Sequence, residues 1–429
     1  MSDDTTRYDD AVRVTGVTIT PAAFPDPPLL NSVGVHQPWA LRAVVEVHTA
    51  GGLVGLGETY GDAAHLSLLS DVAATLTGLD AYDIAGLARR VTTVLGTAEA
   101  PDRHGLTGHS SPSKTAASVI AAFETALLDL QGQAAGRPVY ALLGGKYRDH
   151  VPFAAYLFYK WAAHPGAEPD GWGEALDPDG VVAQARGMID RYGFRSIKLK
   201  GGVFEPAEEI GAVRALRHAF PGHPLRLDPN CAWTVDTSVR VARETDGLLE
   251  YLEDPTPGIG GMARVAERAA MPLATNMCVV QFADLPEAFE RGAVQIVLAD
   301  HHYWGGLHAS IQLAKICETW GVGVSMHSNS HLGISLAAMT HLAAATPVLQ
   351  HAVDTHLPWQ EGNDVVQQPL RIIDGAVQVP GEPGLGVRLD PDALARMHEN
   401  YLTCGIRERD DTTYMQRFHP EFELRRPRW

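Results

Sequence analysis

Short apolar runs alternate with longer amphipathic stretches from about residue 146 onward. There are eight such runs, at residues 151–157, 196–200, 224–228, 248–253, 272–276, 295–300, 322–327 and 348–356. Each run has the length of a buried strand, and each of the seven segments between them is long enough for one helix. A repeated strand–helix unit of this kind predicts a closed parallel barrel.

The first part of the chain has a different pattern. Residues 12–19 alternate between apolar and polar, residues 43–49 are rich in β-branched residues, and 53–58 follow them after a turn at a glycine pair. These features predict a small antiparallel sheet. Residues from about 66 to 133 are rich in Ala and Leu and predict helices, with a break in the Gly- and Ser-rich segment 105–113.

The last part of the chain, residues 359–429, contains turn signals and one helical stretch at 390–401. It is too short for a separate core, so we expect it to pack back onto the N-terminal module. We therefore divide the chain into an α+β capping domain at 1–145, a barrel at 146–358 and this C-terminal segment. The fold class is α/β: a modified TIM barrel of the form (β/α)7β, whose capping domain is completed by the C-terminal tail.

Charge and composition exclude several classes of function. The chain has 34 Lys and Arg against 51 Asp and Glu, and its net charge of −17 argues against nucleic acid and anionic lipid as partners. The four cysteines are far apart and form no C-x-x-C motif, so neither a disulfide framework nor a Cys-rich zinc site is expected. The N-terminus lacks the features of a signal peptide, and the apolar stretch 334–349 is too polar to span a bilayer. We expect a cytoplasmic protein that acts on a small molecule.

Polar residues end each of the predicted strands from the second to the eighth, and in parallel barrels the active site lies at the C-terminal ends of the strands. Three successive runs end with oxygen donors, at Asp228, Glu253 and Asn276. Oxygen ligands that leave coordination positions open suit Mg²⁺, which keeps water and substrate oxygens in its octahedron. The pattern predicts a magnesium site on one rim of the barrel.

Two candidate bases flank this predicted site. Lys198 and Lys200 are two residues apart, so a strand points both side chains to the same side. We expect the two ammonium groups to lower each other's pKa toward neutrality, which would make a lysine a general base. On the other flank is His327, and Asp300, one strand earlier, is placed to orient its imidazole. Two bases across a divalent metal indicate removal of a proton next to a carboxylate, after which a neighbouring hydroxyl can leave as water.

Longer motifs surround these residues. At the strand ends they are Ile197-Lys198-Leu199-Lys200-Gly201-Gly202, Leu227-Asp228-Pro229-Asn230, Leu252-Glu253-Asp254-Pro255, Ala274-Thr275-Asn276-Met277 and His327-Ser328-Asn329. Elsewhere they are Gly34-Val35-His36, Tyr156-Leu157-Phe158-Tyr159, Asp354-Thr355-His356, Trp359-Gln360-Glu361-Gly362 and Arg426-Pro427. This ordered set, which covers nearly the whole chain, resembles the enolase superfamily and, more closely, its glucarate dehydratases.

The resemblance implies that the three oxygen donors bind Mg²⁺. It makes Lys200 one base, with Lys198 at the substrate carboxylate, and makes His327, paired with Asp300, the opposite base and the acid for the leaving hydroxide. In this family the His removes the C5 proton of D-glucarate and the Lys that of L-idarate, and both give 5-dehydro-4-deoxy-D-glucarate. The residues that would line the diacid are Asn31, His36, Thr107, Tyr156, Asn230, Ser328, Asn329, His356 and Arg426.

A few positions depart from the family's pattern. The segment 256–262 is shorter than the family's loop, Ser330 and Gly333 replace the Asn and Asp expected there, and Leu357-Pro358 replaces bulkier residues. None of these positions is a predicted metal ligand or base. The alternatives are therefore a dehydratase, epimerase or racemase of another acid sugar in the same superfamily, or a related protein of low activity.

Other interpretations of the polar residues explain less. A zinc-dependent hydrolase on this barrel needs a His-x-His motif at the first strand, and 151–157 contains no His. A non-catalytic relative has no physical need for complete ligands and bases. His301, His302 and His331 have no comparable partner and are interpreted as structural, and Asp354 as an anchor for the neighbouring His356. The resemblance and the large α/β surface favour a homo-oligomer.

Overall fold

The computed structural model describes residues 11–99, 108–360 and 362–429. Its strands are β1 (Val14–Pro25), β2 (Leu30–Asn31), β3 (Gly34–Val35), β4 (Trp39–Thr49), β5 (Val54–Tyr60), β6 (His150–Pro152), β7 (Ala155–Phe158), β8 (Ile197–Lys200), β9 (Leu225–Asp228), β10 (Tyr251–Glu253), β11 (Leu273–Thr275), β12 (Ile296–Ala299), β13 (Gly323–Met326), β14 (Ile372–Ile373) and β15 (Ala376–Gln378). Its α-helices are α1 (Ala63–Ala73), α2 (Ile84–Leu95), α3 (Pro112–Ala135), α4 (Val139–Leu142), α5 (Pro178–Tyr192), α6 (Pro206–Ala219), α7 (Val235–Glu244), α8 (Ile259–Ala266), α9 (Leu285–Glu290), α10 (His301–Trp304), α11 (Leu307–Trp320), α12 (Gly333–Ala345), α13 (Pro391–Thr403) and α14 (Asp411–Gln416). Within these described residues, no helix has both the length and the apolar character that crossing a membrane requires.

Seven parallel strands, β7 to β13, form one sheet in the order of the chain, and a helix follows each of them. The strands are only three or four residues long, and nearly all of their residues are buried. Short apolar strands that are buried on both faces are typical of a parallel sheet covered by helices. The structure confirms the predicted sheet of repeated strand–helix units.

The predicted eighth strand is wrong in its detail. Residues 348–356 make two single parallel bridges, one from Leu349 to β13 and one from Val353 to Phe153. The segment therefore closes the ring between the last and the first strand without a continuous ladder. The first predicted run is also divided, because β6 pairs with β15 in another sheet and the barrel strand begins only at Ala155. The chain passes from one sheet to the other between Pro152 and Ala155. The segment 348–356 therefore has no continuous strand to pair with on that side.

The capping domain is built on the antiparallel sheet β1-β4-β5, called the capping sheet below. Its longest helix, α3, starts at Pro112 behind Ser111, whose Oγ accepts a hydrogen bond from Lys114 N at 3.1 Å. The helix lies so close to β5 that a Cβ atom on Gly55 would stand 2.1 Å from Ala126 O. The predicted N-terminal sheet and its helices are confirmed, and glycine in β5 is what permits their close packing.

Gly55→Ala should destabilise the protein by about 1–3 kcal/mol, because the new methyl group overlaps a backbone carbonyl of α3. Thermal unfolding would show this as a lower Tm. Gly16→Ala in β1 is the matched control, since nothing lies within 4 Å of a Cβ there, and such a change is neutral or slightly stabilising. Equal Tm values for the two variants would contradict the close approach of α3 to β5.

The C-terminal segment contacts both parts of the molecule. Helix α13 packs on β1, where His398 Nδ1 lies 2.7 Å from Pro21 O. Further along the chain, the N–H groups of Arg428 and Trp429 both donate to Ala232 O. The tail therefore lies on the capping sheet, as the fold class predicts, and it also reaches the loop after β9.

Candidate active site

The predicted metal ligands and bases meet at the C-terminal ends of the barrel strands. Each strand from β8 to β13 ends with one of them or is directly followed by it: Lys200, Asp228, Glu253, Asn276, Asp300 and His327, in strand order. All six residues are buried, with no more than 4 % of their surface exposed. The in-register pairing of β8 with β9 sets Lys200 beside Asp228. The sequence spacing of one residue per β/α unit thus brings these side chains together on one rim.

Two lysines and three carboxylates fill one side of the rim. Lys198 Nζ lies 2.6 Å from Asp354 Oδ2, 2.7 Å from Glu253 Oε2 and 3.5 Å from Asp228 Oδ2. Lys200 Nζ lies 2.7 Å from Asp228 Oδ2. Both lysines point to the same side, as the strand period predicts. Because three carboxylates face two ammonium groups, this buried cluster retains negative charge that a cation can balance.

The expected lowering of the lysine pKa is wrong for Lys198. Burial alone would lower the pKa of this ammonium group, but the carboxylates of Asp354 and Glu253 raise it well above its usual range. Lys198 is therefore a fixed positive charge. The spacing in the sequence places Asp228 and Glu253 on the same rim as the two lysines, but it does not show that carboxylates surround Lys198 this closely. In particular, Asp354 pairs with Lys198, which corrects its interpretation as an anchor for His356.

The three predicted oxygen ligands fit a divalent cation. Burial and the charge of Asp228 raise the pKa of the Glu253 carboxyl well above its usual range, so its ionised form needs more positive charge nearby. Among the described residues, the donor beside Glu253 Oε2 is Lys198 Nζ at 2.7 Å, which Asp354 also contacts. One amide atom of Asn276 lies 3.3 Å from Glu253 Oε1. When that atom is the amide oxygen, two hydrogen-bond acceptors face each other and repel. A cation bound between them would be coordinated by both oxygens. This set of oxygen donors is the kind that Mg²⁺ prefers.

Asp254, directly after Glu253, holds the next ligand in place. Its Oδ2 accepts hydrogen bonds from Asn276 N at 2.7 Å and from Met277 N at 3.0 Å. Burial raises the pKa of Asp254 to about 6, and its φ of 37° lies in the left-handed region that favours glycine. The sequence reasoning missed this positioning role, although Asp254 belongs to the Glu-Asp-Pro motif that it used.

His327 lies on the opposite side of the rim and is held by Asp300. His327 Nδ1 lies 3.0 Å from Asp300 Oδ2 and 2.6 Å from Tyr303 Oη. An ionised carboxylate only accepts hydrogen bonds, so Nδ1 carries the proton and Nε2 is left as the basic atom. Nε2 lies 3.1 Å from an amide atom of Asn276. With the amide oxygen of Asn276 turned toward Glu253, this second atom is the amide nitrogen, so the basic nitrogen accepts a hydrogen bond from the side chain of the third predicted ligand.

Burial and charge set the protonation states of this pair. Burial opposes ionisation of Asp300, but His302 and His327 outweigh it and lower the pKa of Asp300 well below its usual range. Burial also lowers the pKa of His327, against the opposing effect of Asp300. At neutral pH the pair is a carboxylate and a neutral imidazole, which are the states that a general base requires.

The interpretation of His302 and His331 as residues without a comparable partner is wrong. His302 shares Asp300 with the candidate base, since its Nδ1 lies 2.8 Å from Asp300 Oδ1. Its Nε2 lies 2.9 Å from Arg42 Nη2. His331 Nε2 lies 3.0 Å from Thr355 Oγ1. Asp300 is only two residues before His302, whereas Arg42 and Thr355 come from other parts of the chain and no spacing in the sequence signals them.

Several predicted substrate residues line the rim near the bases. The Tyr156 ring centroid lies 4.7 Å from Lys198 Nζ and 5.0 Å from the ring of His356. Ser328 Oγ lies 3.4 Å from His356 Nδ1. These side chains connect the lysine side of the rim with the histidine side. Another predicted substrate residue, Thr107, lies outside the described residues.

Two predicted substrate residues carry amides at the same rim. Asn230 Nδ2 donates to Asp228 Oδ1 at 3.1 Å, while Asn230 Oδ1 accepts no hydrogen bond from the described part of the chain. Asn329 Nδ2 donates to Tyr60 Oη of the capping sheet at 3.2 Å. Asn230 therefore offers an acceptor to a ligand, whereas Asn329 is tied to the capping domain.

The remaining predicted substrate residues lie in the cap and in the C-terminal tail. Asn31 uses both ends of its amide within the cap, accepting from Val33 N at 2.8 Å and donating to Asp411 Oδ2 at 3.4 Å. His36 packs edge-on against the ring of Phe158, the last residue of β7, with 5.8 Å between ring centroids. Arg426 is half-buried in the tail segment that reaches the loop after β9. The structure thus brings His36 to the rim and occupies Asn31 elsewhere.

Family models match both parts of the chain. The model described as "Enolase C-terminal domain-like" matches residues 180–393. The model described as "Mandelate racemase / muconate lactonizing enzyme, N-terminal domain" matches residues 14–144.

Curated relatives and solved structures match nearly the whole chain. A protein of Streptomyces coelicolor named "probable glucarate dehydratase" is 54% identical over 97% of this chain and 99% of its own. A D-xylonate dehydratase of Haloferax volcanii is 27% identical over 84% of this chain and 85% of its own. An enolase of Thermobispora bispora, solved with magnesium and formate, is 64% identical with a TM-score of 0.96 and covers 97% of this chain and 100% of its own. An enolase of Mycobacterium smegmatis, solved with tartrate, is 61% identical with a TM-score of 0.94 and covers 97% and 98%.

Proposed function

The chain belongs to the enolase superfamily and is a Mg²⁺-dependent, glucarate dehydratase-like hydro-lyase, and from this premise we propose that its substrate is a hexaric acid sugar. The substrates we favour are D-glucarate and L-idarate, with 5-dehydro-4-deoxy-D-glucarate as the product of both. The name of the Streptomyces coelicolor relative supports the substrate. The tartrate held by a solved relative, itself a hydroxylated diacid, supports the substrate class.

The observation that carries this proposal is a pair of bases on opposite sides of the oxygen ligands. Lys200 Nζ lies 2.7 Å from Asp228 Oδ2, and His327 Nε2 lies 3.1 Å from the amide of Asn276. A substrate carboxylate placed on the ligands would put its α-carbon between the two bases, one on each face. This arrangement supports proton removal from either configuration at that carbon.

Residues of this chain would carry the proton through the reaction. When bound, Mg²⁺ supplies positive charge beside the substrate carboxylate, where negative charge develops as the proton leaves. The neutral Nε2 of His327 takes the C5 proton of D-glucarate while Asp300 holds Nδ1–H and stabilises the imidazolium. His327 then gives that proton to the C4 hydroxyl, and the C4–O bond breaks to release water. Lys200 takes the C5 proton of L-idarate on the other face.

Proton NMR in D₂O with Mg²⁺ tests this function, with D-glucarate, L-idarate and galactarate in parallel. We expect a keto-deoxy product from D-glucarate and L-idarate. Deuterium exchange at C5 without water loss would instead indicate an epimerase that uses the same two bases. No exchange and no product from any of the three diacids would rule out the proposed substrates and require a wider screen of acid sugars.

Asn276→Asp should raise KM for D-glucarate by about tenfold or more, because a third carboxylate beside the metal repels a dianionic substrate. The side-chain amide that it replaces lies 2.9 Å from Asp254 Oδ2 and 3.3 Å from Glu253 Oε1, so the new charge joins a buried acidic cluster. Steady-state kinetics measures KM, and calorimetry measures Mg²⁺ affinity separately. D-gluconate, with one carboxylate, is the control ligand, and its binding should be weakened less than that of D-glucarate. An unchanged KM for D-glucarate would contradict this charge argument.

A further inference from the structure

Two buried charged residues of the capping sheet reach into the barrel. Arg42 lies on β4 and Glu58 on β5, and only 1 % and 2 % of their surfaces are exposed. Arg42 Nε donates to Glu58 Oε1 at 2.8 Å. Burying such a pair is costly unless further hydrogen bonds satisfy both groups. Within the described part of the chain, the other hydrogen-bond partners of the Glu58 carboxylate and of Arg42 Nη2 all belong to the barrel.

Glu58 binds the segment that follows His327 in the sequence. Its Oε1 accepts from Leu332 N and its Oε2 from Ser335 N, both at 2.8 Å. These amides lie at the N-terminus of α12, which begins six residues after His327. A carboxylate at this end of a helix satisfies N–H groups that lack partners within the helix and interacts favourably with the helix dipole.

Arg42 fixes the tautomer of His302. Its Nη2 lies 2.9 Å from His302 Nε2, and a guanidinium only donates hydrogen bonds, so Nε2 is the acceptor. The proton of His302 is therefore on Nδ1, which donates to Asp300 Oδ1 at 2.8 Å. This leaves Asp300 Oδ2 for Nδ1–H of His327 at 3.0 Å. This series of hydrogen bonds, which begins at Arg42, places the proton of His327 on Nδ1 and leaves Nε2 unprotonated.

Among the described residues, the lysine base has a weaker and less direct link to the cap: Ser32 Oγ donates to Asn230 O at 3.4 Å, and Asn230 Nδ2 donates to Asp228. Lys200 pairs with Asp228, and Lys198 pairs with Asp354 and Glu253. All of these residues are on barrel strands or on the segment that closes the barrel. The two sides of the rim are thus supported by different parts of the chain.

We propose that the Arg42–Glu58 pair of the capping sheet is a positioning device for His327 and not for Lys200. It sets the tautomer of His302, orients Asp300 through it, and so presents Nε2 of the base on the histidine face. The assignment of this face to D-glucarate rests on the proposed function, whereas the tautomers do not. Loosening the pair should therefore impair one face of the site and spare the other.

The first test reads the tautomers directly, with no substrate present. In ¹⁵N-histidine-labelled, Mg²⁺-loaded protein, the ring signals of His302 and His327 are assigned with His302→Gln and His327→Asn. Both rings should show the Nδ1–H tautomer. Arg42→Lys keeps a positive charge for Glu58 but cannot reach both partners, so the His302 signal should shift toward the other tautomer and the His327 signal should move with it.

The second test compares the two faces by C5 proton exchange in D₂O. Arg42→Lys should slow exchange into D-glucarate by about 10- to 100-fold, the usual effect of losing such an outer partner, and leave exchange into L-idarate nearly unchanged. Arg226→Lys is the matched control, because Arg226 is also buried and pairs with Glu250 at the start of β9, away from the bases. Any loss in the control should fall equally on both epimers.

Two results would overturn the positioning role. One is ring signals of His302 and His327 that stay as in the wild type in Arg42→Lys and also in Arg42→Met. The other is an equal loss of exchange for both epimers, as expected from general destabilisation. If the wild type exchanges neither diacid, the proposed substrates fail, but the tautomer measurement still decides the role of Arg42.

Discussion

His327→Asn should stop water loss from both epimers while L-idarate still exchanges its C5 proton with solvent. In the proposed reaction, Nε2 of His327 is the base on the D-glucarate face and, once protonated, the acid for the departing hydroxyl. Exchange into D-glucarate should fall by about 10²- to 10⁴-fold, the range that positioned acid–base groups contribute. Exchange into L-idarate should persist, because Lys200 and its partner Asp228 are untouched. Proton NMR in D₂O follows both processes in one sample.

The control for this variant is His341→Asn. His341 is equally buried. Its Nε2 lies 3.1 Å from Leu385 O, which is a contact with the C-terminal segment and not with the barrel rim. This change should alter exchange and dehydration of the two epimers to the same small extent. Wild-type exchange into D-glucarate by His327→Asn would refute the assignment of the base. Loss of exchange into L-idarate in the same variant would show that the two faces do not act separately.

Glu253→Gln should remove Mg²⁺ and, with it, exchange and dehydration of both epimers. Glu253 ends the middle one of the three units that carry predicted ligands, and its Oε2 shares Lys198 Nζ with Asp354. Activity should fall by about a thousandfold or more, since the metal supplies several kcal/mol of charge stabilisation in the transition state. The protein should stay folded, because Lys198 keeps Asp354 as its partner at 2.6 Å. Calorimetric titration with Mg²⁺ measures the binding, and NMR measures the exchange.

The matched control is Glu250→Gln on the same segment of chain. Glu250 is three residues earlier and pairs with Arg226 and His351. The Glu250→Gln variant should bind Mg²⁺ with the affinity of the wild type. If Glu253→Gln bound Mg²⁺ with unchanged affinity, the ligand set would be wrong. If the variant lost the metal but kept exchange into L-idarate, Lys200 would act without the metal and the proposed reaction would fail.

The parts of the site that recur with each β/α unit could be predicted from the sequence. Lys200, Asp228 and Glu253 end their strands, and each is separated from the next by one unit of similar length. Parallel pairing then leaves little freedom in where their side chains meet. The same regularity predicts the fold, because a repeated unit constrains topology more than any single element does.

The rest of the site depends on contacts between distant segments. Arg42 meets His302 across 260 positions of the chain, and no periodicity indicates that contact. The raised pKa of Lys198 follows from carboxylates that surround it in space, one of them 156 residues away in the chain. The eighth strand was expected from its apolar pattern, but its neighbour turns away into another sheet. In each case tertiary placement decides the outcome, and local pattern does not.

The hydrogen bonds from α12 to Glu58 cross from the barrel to the capping sheet, and this has an evolutionary consequence. Recombination that exchanged the capping domain between relatives would separate Glu58 and Arg42 from the helix and the histidine that they hold. A hybrid would keep the metal ligands and lose the support of one base unless the incoming cap carried a matching pair. Under the proposed positioning role, a change at this junction alters the histidine face of the site without touching any predicted metal ligand or base.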